Sequence, residues 1–440
     1  MYNIITYYYY IMRMNNTLNE IFDSKKIEIS GVNNLVRLEG SIGSTNKIIY
    51  LFFINNVDAI NQTECANIYS KDIHKYLAKT FYNINNESDY MLDFFMDLMP
   101  TNIHRYGKKL EYTDNYINQI RNFFARIFNY DEQKNKVLMA KHFEKIRLHY
   151  FDIRDYLSLI IEFPLFNNLE SLYSLMNIND ENKIISELNF TITILQNSKT
   201  NLNNILTIFK TKNNADIKNE SSVIKKSLYT DDMQIYFDIN NVKKFVNKIN
   251  NVYNNEDVQL KILNDYQLIL EYADLTEKYI INIIEYIQNT ITYLLETKDK
   301  LNTSKYSTND ISSGLHYLDK MDIIIDVIKK YESIQSKISD IFILMTNLYF
   351  LRRILDKNYI TNSIVCSNNK HSTNIIRLLV GIFNFKITHA SYSLIPNIDQ
   401  LNNQIKKNMS GLELTDIAKL FVPEVFQQCI DITNFPKKFT

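Results

Sequence analysis

The sequence predicts an α/β protein, mostly helical overall, whose parallel-type sheet core is split by a large all-α helical insertion. Three observations predict it. Residues 25–155 alternate between strand and helix signals, and residues 156–357 carry long amphipathic patterns with almost no strand signal. From residue 358 the strand–helix alternation resumes. Two small α/β pieces bury more apolar surface as one sheet than apart. The expected organisation is therefore an N-terminal extension at 1–24, the first part of the core at 25–155, the helical insertion at 156–357, and the second part of the core with a helical tail at 358–440. Only 7 Gly and 5 Pro among 440 residues fit long regular elements.

The opening stretch, Met1 to Met14, is apolar and aromatic. It lacks the basic start and small-residue cleavage site of a signal peptide, and it is shorter than the roughly 20 residues a bilayer crossing needs. Met1, Met12 and Met14 are alternative starts. Lys47–Ile54 is a continuous β-branched and aromatic run, expected of a strand buried on both faces of a parallel sheet. Asp72 to Tyr82 has helical spacing through Ile73, Tyr76, Leu77 and Phe81, and Tyr90–Leu98 reads as a second strand. A long helix is expected over Tyr112 to Phe143, striped by Ile117, Ile120, Phe124 and Ile127, before a third strand at Ile146–Ile153. The order β-α-β-α-β favours a parallel sheet with right-handed crossovers.

Within the insertion, Ile184 to Phe209 places Ile185, Leu188, Ile192 and Leu195 on one helical face. Thr211–Ser222 reads as a loop, Val242 to Leu301 holds further long helices, and Asp310 to Leu355 at least one more. A bundle is the simplest packing for them. Beyond it come a strand at Ser363–Cys366, a helix at Thr373–Phe383, a strand at Phe385–Ala390 and tail helices at Asp399–Lys407 and Leu412–Leu420.

Composition excludes several functions. The 49 basic residues balance 49 acidic ones, and the short lysine pairs Lys225-Lys226, Lys243-Lys244 and Lys329-Lys330 lie among acidic residues, so no nucleic-acid face is expected. No other segment is long and uncharged enough to span a membrane, so no membrane association is expected. Cys65, Cys366 and Cys429 are odd in number and have no C-x-x-C spacing, which argues against a local zinc site and fits a reducing compartment better than secretion. The abundance of Asn, Ile, Lys and Tyr is the usage of an AT-rich genome and says little about function. No P-loop, dinucleotide fingerprint, zincin helix or nucleophile elbow occurs, and no cofactor or metal is expected.

Candidate chemistry gathers at strand ends. Ser363 to Ser372 reads as a strand, a polar loop, His371 and then a helix, and open α/β sheets bind ligands at the carboxyl ends of strands. There His371 is a candidate acid, base or ligand. The structural alternative is a residue at the start of a helix capped by Ser372 or Thr373. Asp97 and Asp152 end predicted parallel strands and could face His371, with Arg154 binding an anion or orienting Asp152. The structural alternative is an ion pair of Arg154 with Asp152 or Asp155. His149 falls mid-strand and reads as a core residue. His316 and Asp319 have i, i+3 helical spacing but no further ligand, and Cys366 reads as an inert buried thiol.

Three places resemble a family of uncharacterised proteins encoded by giant DNA viruses, itself distantly similar to the TraB/ChaN/Tiki superfamily of α/β proteins. They are Ile48 to Cys65, then Asp93–Asp97 (DFFMD) with Arg147–Arg154 (RLHYFDIR), and Asp340 to His371. In the first, relatives carry a Gly-acid-x-His loop where this chain has Phe53, Ile54 and Asn56. In the third, Asn368 takes the place of Gly while His371 remains. Loss of the Gly, the carboxylate and the imidazole removes close backbone approach and the groups that bind a metal or move a proton. The resemblance therefore implies a catalytically impaired α/β hydrolase-like protein, intracellular in host cytoplasm or virion and not secreted. It would act through protein contacts, with a protein partner or by self-association, or as a structural virion component. The alternative it leaves open is a divergent hydrolase, with or without a metal, using Asp97, Asp152 and His371 on an unspecified substrate.

Overall fold

The computed structural model describes residues 21, 23–55, 57–97, 116–131, 136–137, 143–153, 159–178, 180–210, 239–303, 311–407, 415–425 and 427–439. Its centre is a six-stranded sheet in the order β10-β2-β3-β9-β5-β8. These strands are β2 (Asn34–Ile42), β3 (Thr45–Phe53), β5 (Leu92–Met96), β8 (Ile146–Tyr150), β9 (Asn362–Ser367) and β10 (Lys386–Ala390). The expected strands at Lys47–Ile54, Tyr90–Leu98, Ile146–Ile153, Ser363–Cys366 and Phe385–Ala390 all appear with small shifts of their ends.

The expected α/β class, mostly helical with a sheet core and a helical insertion, is what the structure shows, and the sheet is mixed rather than wholly parallel. β3, β9, β5 and β8 run parallel, but β2 lies antiparallel between β3 and β10. β2 and β3 are one hairpin, turned at Gly43 with φ +57, a conformation glycine adopts without steric cost. Arg37 and Glu39 disguise the strand character of β2 in the sequence. The Arg37 guanidinium is nonetheless buried, donating to Tyr50 Oη at 2.8 Å and Thr388 Oγ1 at 2.8 Å and pairing with Glu39.

A second sheet, order β11-β1-β4, joins β1 (Glu28–Ser30), β4 (Lys71–Asp72) and β11 (Cys429–Asp431). These strands are two or three residues long and give no periodic signal. A disulfide links Cys65 to Cys429, 364 residues apart in sequence, and Cys366 stays a free buried thiol. The expectation of a reducing compartment did not foresee this pairing, because so long a separation leaves no spacing to read.

Alternation along the strands gives the sheet two apolar faces. Leu35, Tyr50, Phe52, Phe94, Met96, Ile364 and Cys366 face a cluster with α1 (Ile73–Glu87) and α2 (Tyr116–Ile127). Val36, Leu38, Ile49, Leu51, Phe53, Phe95 and Val365 face the larger cluster, which continues into the helices. Those are α3 (Leu159–Ser174), α4 (Glu181–Lys210), α5 (Ile239–Asn251), α6 (Glu256–Thr303), α7 (Ile311–Leu355), α8 (Asn369–Gly381), α9 (Ile398–Lys407) and α10 (Thr415–Phe421). The long helix expected over Tyr112–Phe143 is corrected. α2 ends at Ile127, Asn129 turns left-handed at φ 47, and β6 (Tyr130–Asp131) pairs with β7 (Lys136–Val137). The loop expected at Thr211–Ser222 lies outside the described residues. No helix of the described residues is long and apolar enough to cross a membrane.

Candidate functional site

β9 is the switch point of the large sheet. The chain enters it from the β5/β8 side and leaves it for β10 at the other edge. Ligands in open α/β sheets sit outside the carboxyl end of such a strand. Here that end is Ser367, flanked by Phe53 of β3 and by Asp97 just past β5.

Asp97 is held by backbone on both sides. Its N–H donates to Cys366 O at 2.8 Å, and its Oδ2 accepts from Asn368 N–H at 3.2 Å. Asn368, not Ser372 or Thr373, caps α8, its side chain accepting from His371 N–H at 3.0 Å. The helix thus starts four residues earlier than expected, and His371 lies in its first turn rather than before it. The His371 ring sits between two oxygens, with Nδ1 2.6 Å from Asn347 Oδ1 of α7 and Nε2 3.4 Å from Asp97 Oδ1. Phe151 closes the site edge-on, 6.2 Å from the imidazole, and Ser367 and Ser372 share a hydroxyl contact of 2.7 Å beside it. Side-chain exposure is 0% for His371 and 1% for Asp97.

The structure therefore brings Asp97 and His371 together. Asp152 is also buried, just past β8, but the register continuing from Met96↔Tyr150 sets Phe151, not Asp152, opposite Asp97. Arg154 and Asn56 lie outside the described residues, as do the side chains of His316 and Asp319. Phe53 and Ile54 face no cleft. Phe53 is buried in the core on the long-helix side, 6.2 Å from Phe421, and Ile54 is buried in the core on the α1/α2 side. Burial pushes the Cys366 thiol far up, as expected of an inert core residue.

Sequence reasoning missed the polar residues around this edge. Asn347 carries one detectable signal, a Thr-Asn pair inside the apolar run Ile341 to Phe350. Two residues behind Phe95 on the same strand face, the buried Asp93 takes a fork from Arg147 at 2.8 and 2.5 Å and a bond from His149 Nε2 at 2.7 Å. Arg353 of α7 donates to His149 Nδ1 at 3.1 Å and to Tyr150 O at 3.0 Å. With Nδ1 accepting and Nε2 donating, His149 is neutral. Burial holds its pKa down, the Asp93 hydrogen bond opposes that, and the Arg353 charge adds to it. His149 is thus more than an inert core residue: it couples the sheet to α7. A second buried pair, Arg377 Nη2 with Asp265 at 3.2 Å to both oxygens, ties α8 to α6.

Chemically, the edge holds a carboxylate and an imidazole oriented by an amide, at ion-pair distance. Both ring nitrogens are directed at protein oxygens.

Comparison with known proteins gives the chain its relatives. The model of a family of unknown function (DUF5847) matches residues 27–440. Uncharacterized protein R706 of Acanthamoeba polyphaga mimivirus is 35% identical over 441 residues, which is 96% of this chain and 100% of that protein. Uncharacterized proteins R161 and R160 of the same virus are 30% identical (95% of this chain, 99% of that protein) and 31% identical (96% and 100%). Nothing in these matches supports the likeness to the TraB/ChaN/Tiki superfamily, and no solved structure matches. With the family model spanning all but the first 26 residues and mimivirus proteins similar over nearly their whole length, the chain belongs to this family of unknown function (DUF5847).

Proposed function

We propose that the chain is a catalytically impaired α/β protein of viral type, working through protein contacts inside an infected cell or in the virion. One observation carries this reading: the Asp97–His371 pair is sealed, with the imidazole fully buried between Asn347, Asp97 and Phe151. A general acid or base has to come within about 3 Å of the atom it serves, directly or through one water. The burial of Phe53 and Ile54 supports the same reading, because apolar side chains packed in the two cores stand where the resemblance implies a glycine and a carboxylate. The contact surface is assigned to α6. Leu260, Leu268 and Leu275 stand 64%, 47% and 60% exposed at spacings of eight and seven residues, which put them on one face of the helix.

The test is a panel of ester, phosphoester and peptide substrates given to the wild type and to His371→Ala. Equal, background-level rates are expected. Turnover by the wild type that His371→Ala abolishes would overturn the proposal. It would favour the second reading, a divergent hydrolase using Asp97, Asp152 and His371. The observation behind that reading is the 3.4 Å approach of Asp97 to His371 at the switch point of the sheet.

A further inference from the structure

The small sheet gathers a second set of reactive side chains, about which the carboxyl edge of the large sheet says nothing. In the antiparallel β1–β11 pair, Glu28 stands opposite Asp431 and Ser30 opposite Cys429. The period of two puts these four on one face. Cys65 approaches that face from the loop after β3, its N–H donating to Ser30 Oγ at 3.0 Å. Two sulfurs and a Glu28 carboxylate oxygen lie within 4.8 Å of one another. All three residues are half-buried.

We propose that the Cys65–Cys429 pair is a two-state site. As the disulfide it clips β11 to the loop after β3. As the dithiol it forms, with Glu28, a site for one thiophilic divalent cation of the zinc class. Interconversion is thiol–disulfide exchange with a low-molecular-weight thiol such as glutathione. Two reductant molecules give up two electrons and two protons and leave as their own disulfide. The protein's S–S bond breaks, and the two thiols then lose their protons to solvent as the cation binds.

Three arguments support the dithiol state. Two thiolates and a carboxylate are a donor set zinc accepts, with its fourth position left to water, and thiolates select against magnesium and calcium. The geometry is within reach. Zinc at about 2.3 Å from each sulfur needs the sulfurs about 3.8 Å apart in a tetrahedral site, and side-chain rotation can open them to that from a Cα–Cα distance of 5.1 Å. Acidic side chains gather on this face: Asp431 stands opposite Glu28 in the β1–β11 pair, and Lys26 lies 3.8 Å from the Glu28 carboxylate. Reading the sequence for local C-x-x-C spacing could not find such a site, since its two cysteines are 364 residues apart.

The experiment uses the full chain, reduced with a phosphine and desalted, and titrated with Co2+ alone. A thiolate-to-cobalt charge-transfer band saturating at one Co2+ per chain is expected, displaced by Zn2+. The same chain oxidised with glutathione disulfide is expected to show no band. Cys65→Ser and Cys429→Ser should each lose most of the band, and Glu28→Gln should keep the thiolate band while weakening binding about tenfold or more. Should a cysteine variant misfold, alkylation of the reduced wild type decides instead: Zn2+ should shield Cys65 and Cys429 from iodoacetamide. No band in the reduced wild type, no shielding, or Glu28→Gln binding as tightly as wild type would overturn the proposal.

Discussion

Asp97 Oδ1 stands 3.4 Å from His371 Nε2, a contact that joins the end of β5 to the first turn of α8 with both side chains shut off from solvent. Charged groups so placed cost desolvation energy, and they persist where paired geometry offsets it. In this protein buried polar pairs fasten α8 and α7 to the sheet and α8 to α6.

The Asp265–Arg377 pair is almost fully buried, with side-chain exposures of 1% and 2%. Arg377→Met would strand the Asp265 carboxylate among apolar residues of α6, at a cost of about 3–5 kcal/mol in urea unfolding at neutral pH. Asp265→Leu in the same chain should recover most of that loss. Burial raises the Asp265 pKa against the pull of Arg377, and without Arg377 it rises further. The stability tied to a raised carboxyl pKa is present below the unfolded value of 3.8 and is lost as pH rises through the folded one. The Arg377→Met deficit should therefore shrink as pH falls toward 4.

His149 gives the opposite sign. Its folded pKa lies below 6.5, so its contribution is present above 6.5 and is lost as pH falls through the folded value. Between pH 7.5 and 5.5 the wild type should lose stability relative to His149→Gln, at up to about 1.4 kcal/mol per pH unit. Parallel curves for the two proteins would show that His149 does not titrate with folding.

Gly31 is a backbone prediction. Its φ is +91, and a Cβ added there would lie 2.1 Å from Tyr116 Oη. Gly31→Ala should cost about 1–3 kcal/mol from backbone strain alone. It should cost more because Tyr116 donates at 2.7 Å to Asp72, the residue capping α1. A melting temperature within a degree of wild type would contradict this.

The leucines of α6 should behave in the reverse manner. Leu260→Ser, Leu268→Ser and Leu275→Ser are surface changes, each expected within about 0.5 kcal/mol of wild type. Sedimentation equilibrium of the wild type should show concentration-dependent association that the triple variant loses. A strict monomer at high concentration would remove self-association from the account and leave only a different protein as partner.

How much of this was legible in the sequence depends on the range of the interaction. β3, β5 and β9 announced themselves because they are buried on both faces and need no partner to look apolar, and β8 and β10 through alternating apolar residues. β2 did not, because Arg37 and Glu39 interrupt its pattern and the hairpin is needed to bury Arg37. Asp97 and His371 could be nominated because strand ends in a parallel sheet share one edge, and the structure does bring that pair together. Asp152 was nominated by the same rule, but the register sets Phe151 beside Asp97 instead. Asn347 left only the trace of a Thr-Asn pair in an apolar run, and Arg353 and Asp265 were invisible, since each lies in a long helix whose partner is set only by packing. The Cys65–Cys429 link was hidden for the same reason at greater range.

The measurement that bears most directly on the central claim is urea unfolding of His371→Ala beside the wild type, with hydrolysis rates taken on the same samples. If the Asp97–His371–Asn347 cluster is structural, the variant strands two buried polar groups. It should lose about 2–5 kcal/mol, with no change in background hydrolysis. A variant as stable as wild type or more so, and stripped of a hydrolytic activity the wild type possesses, would contradict the account, since active-site residues are held at the expense of stability.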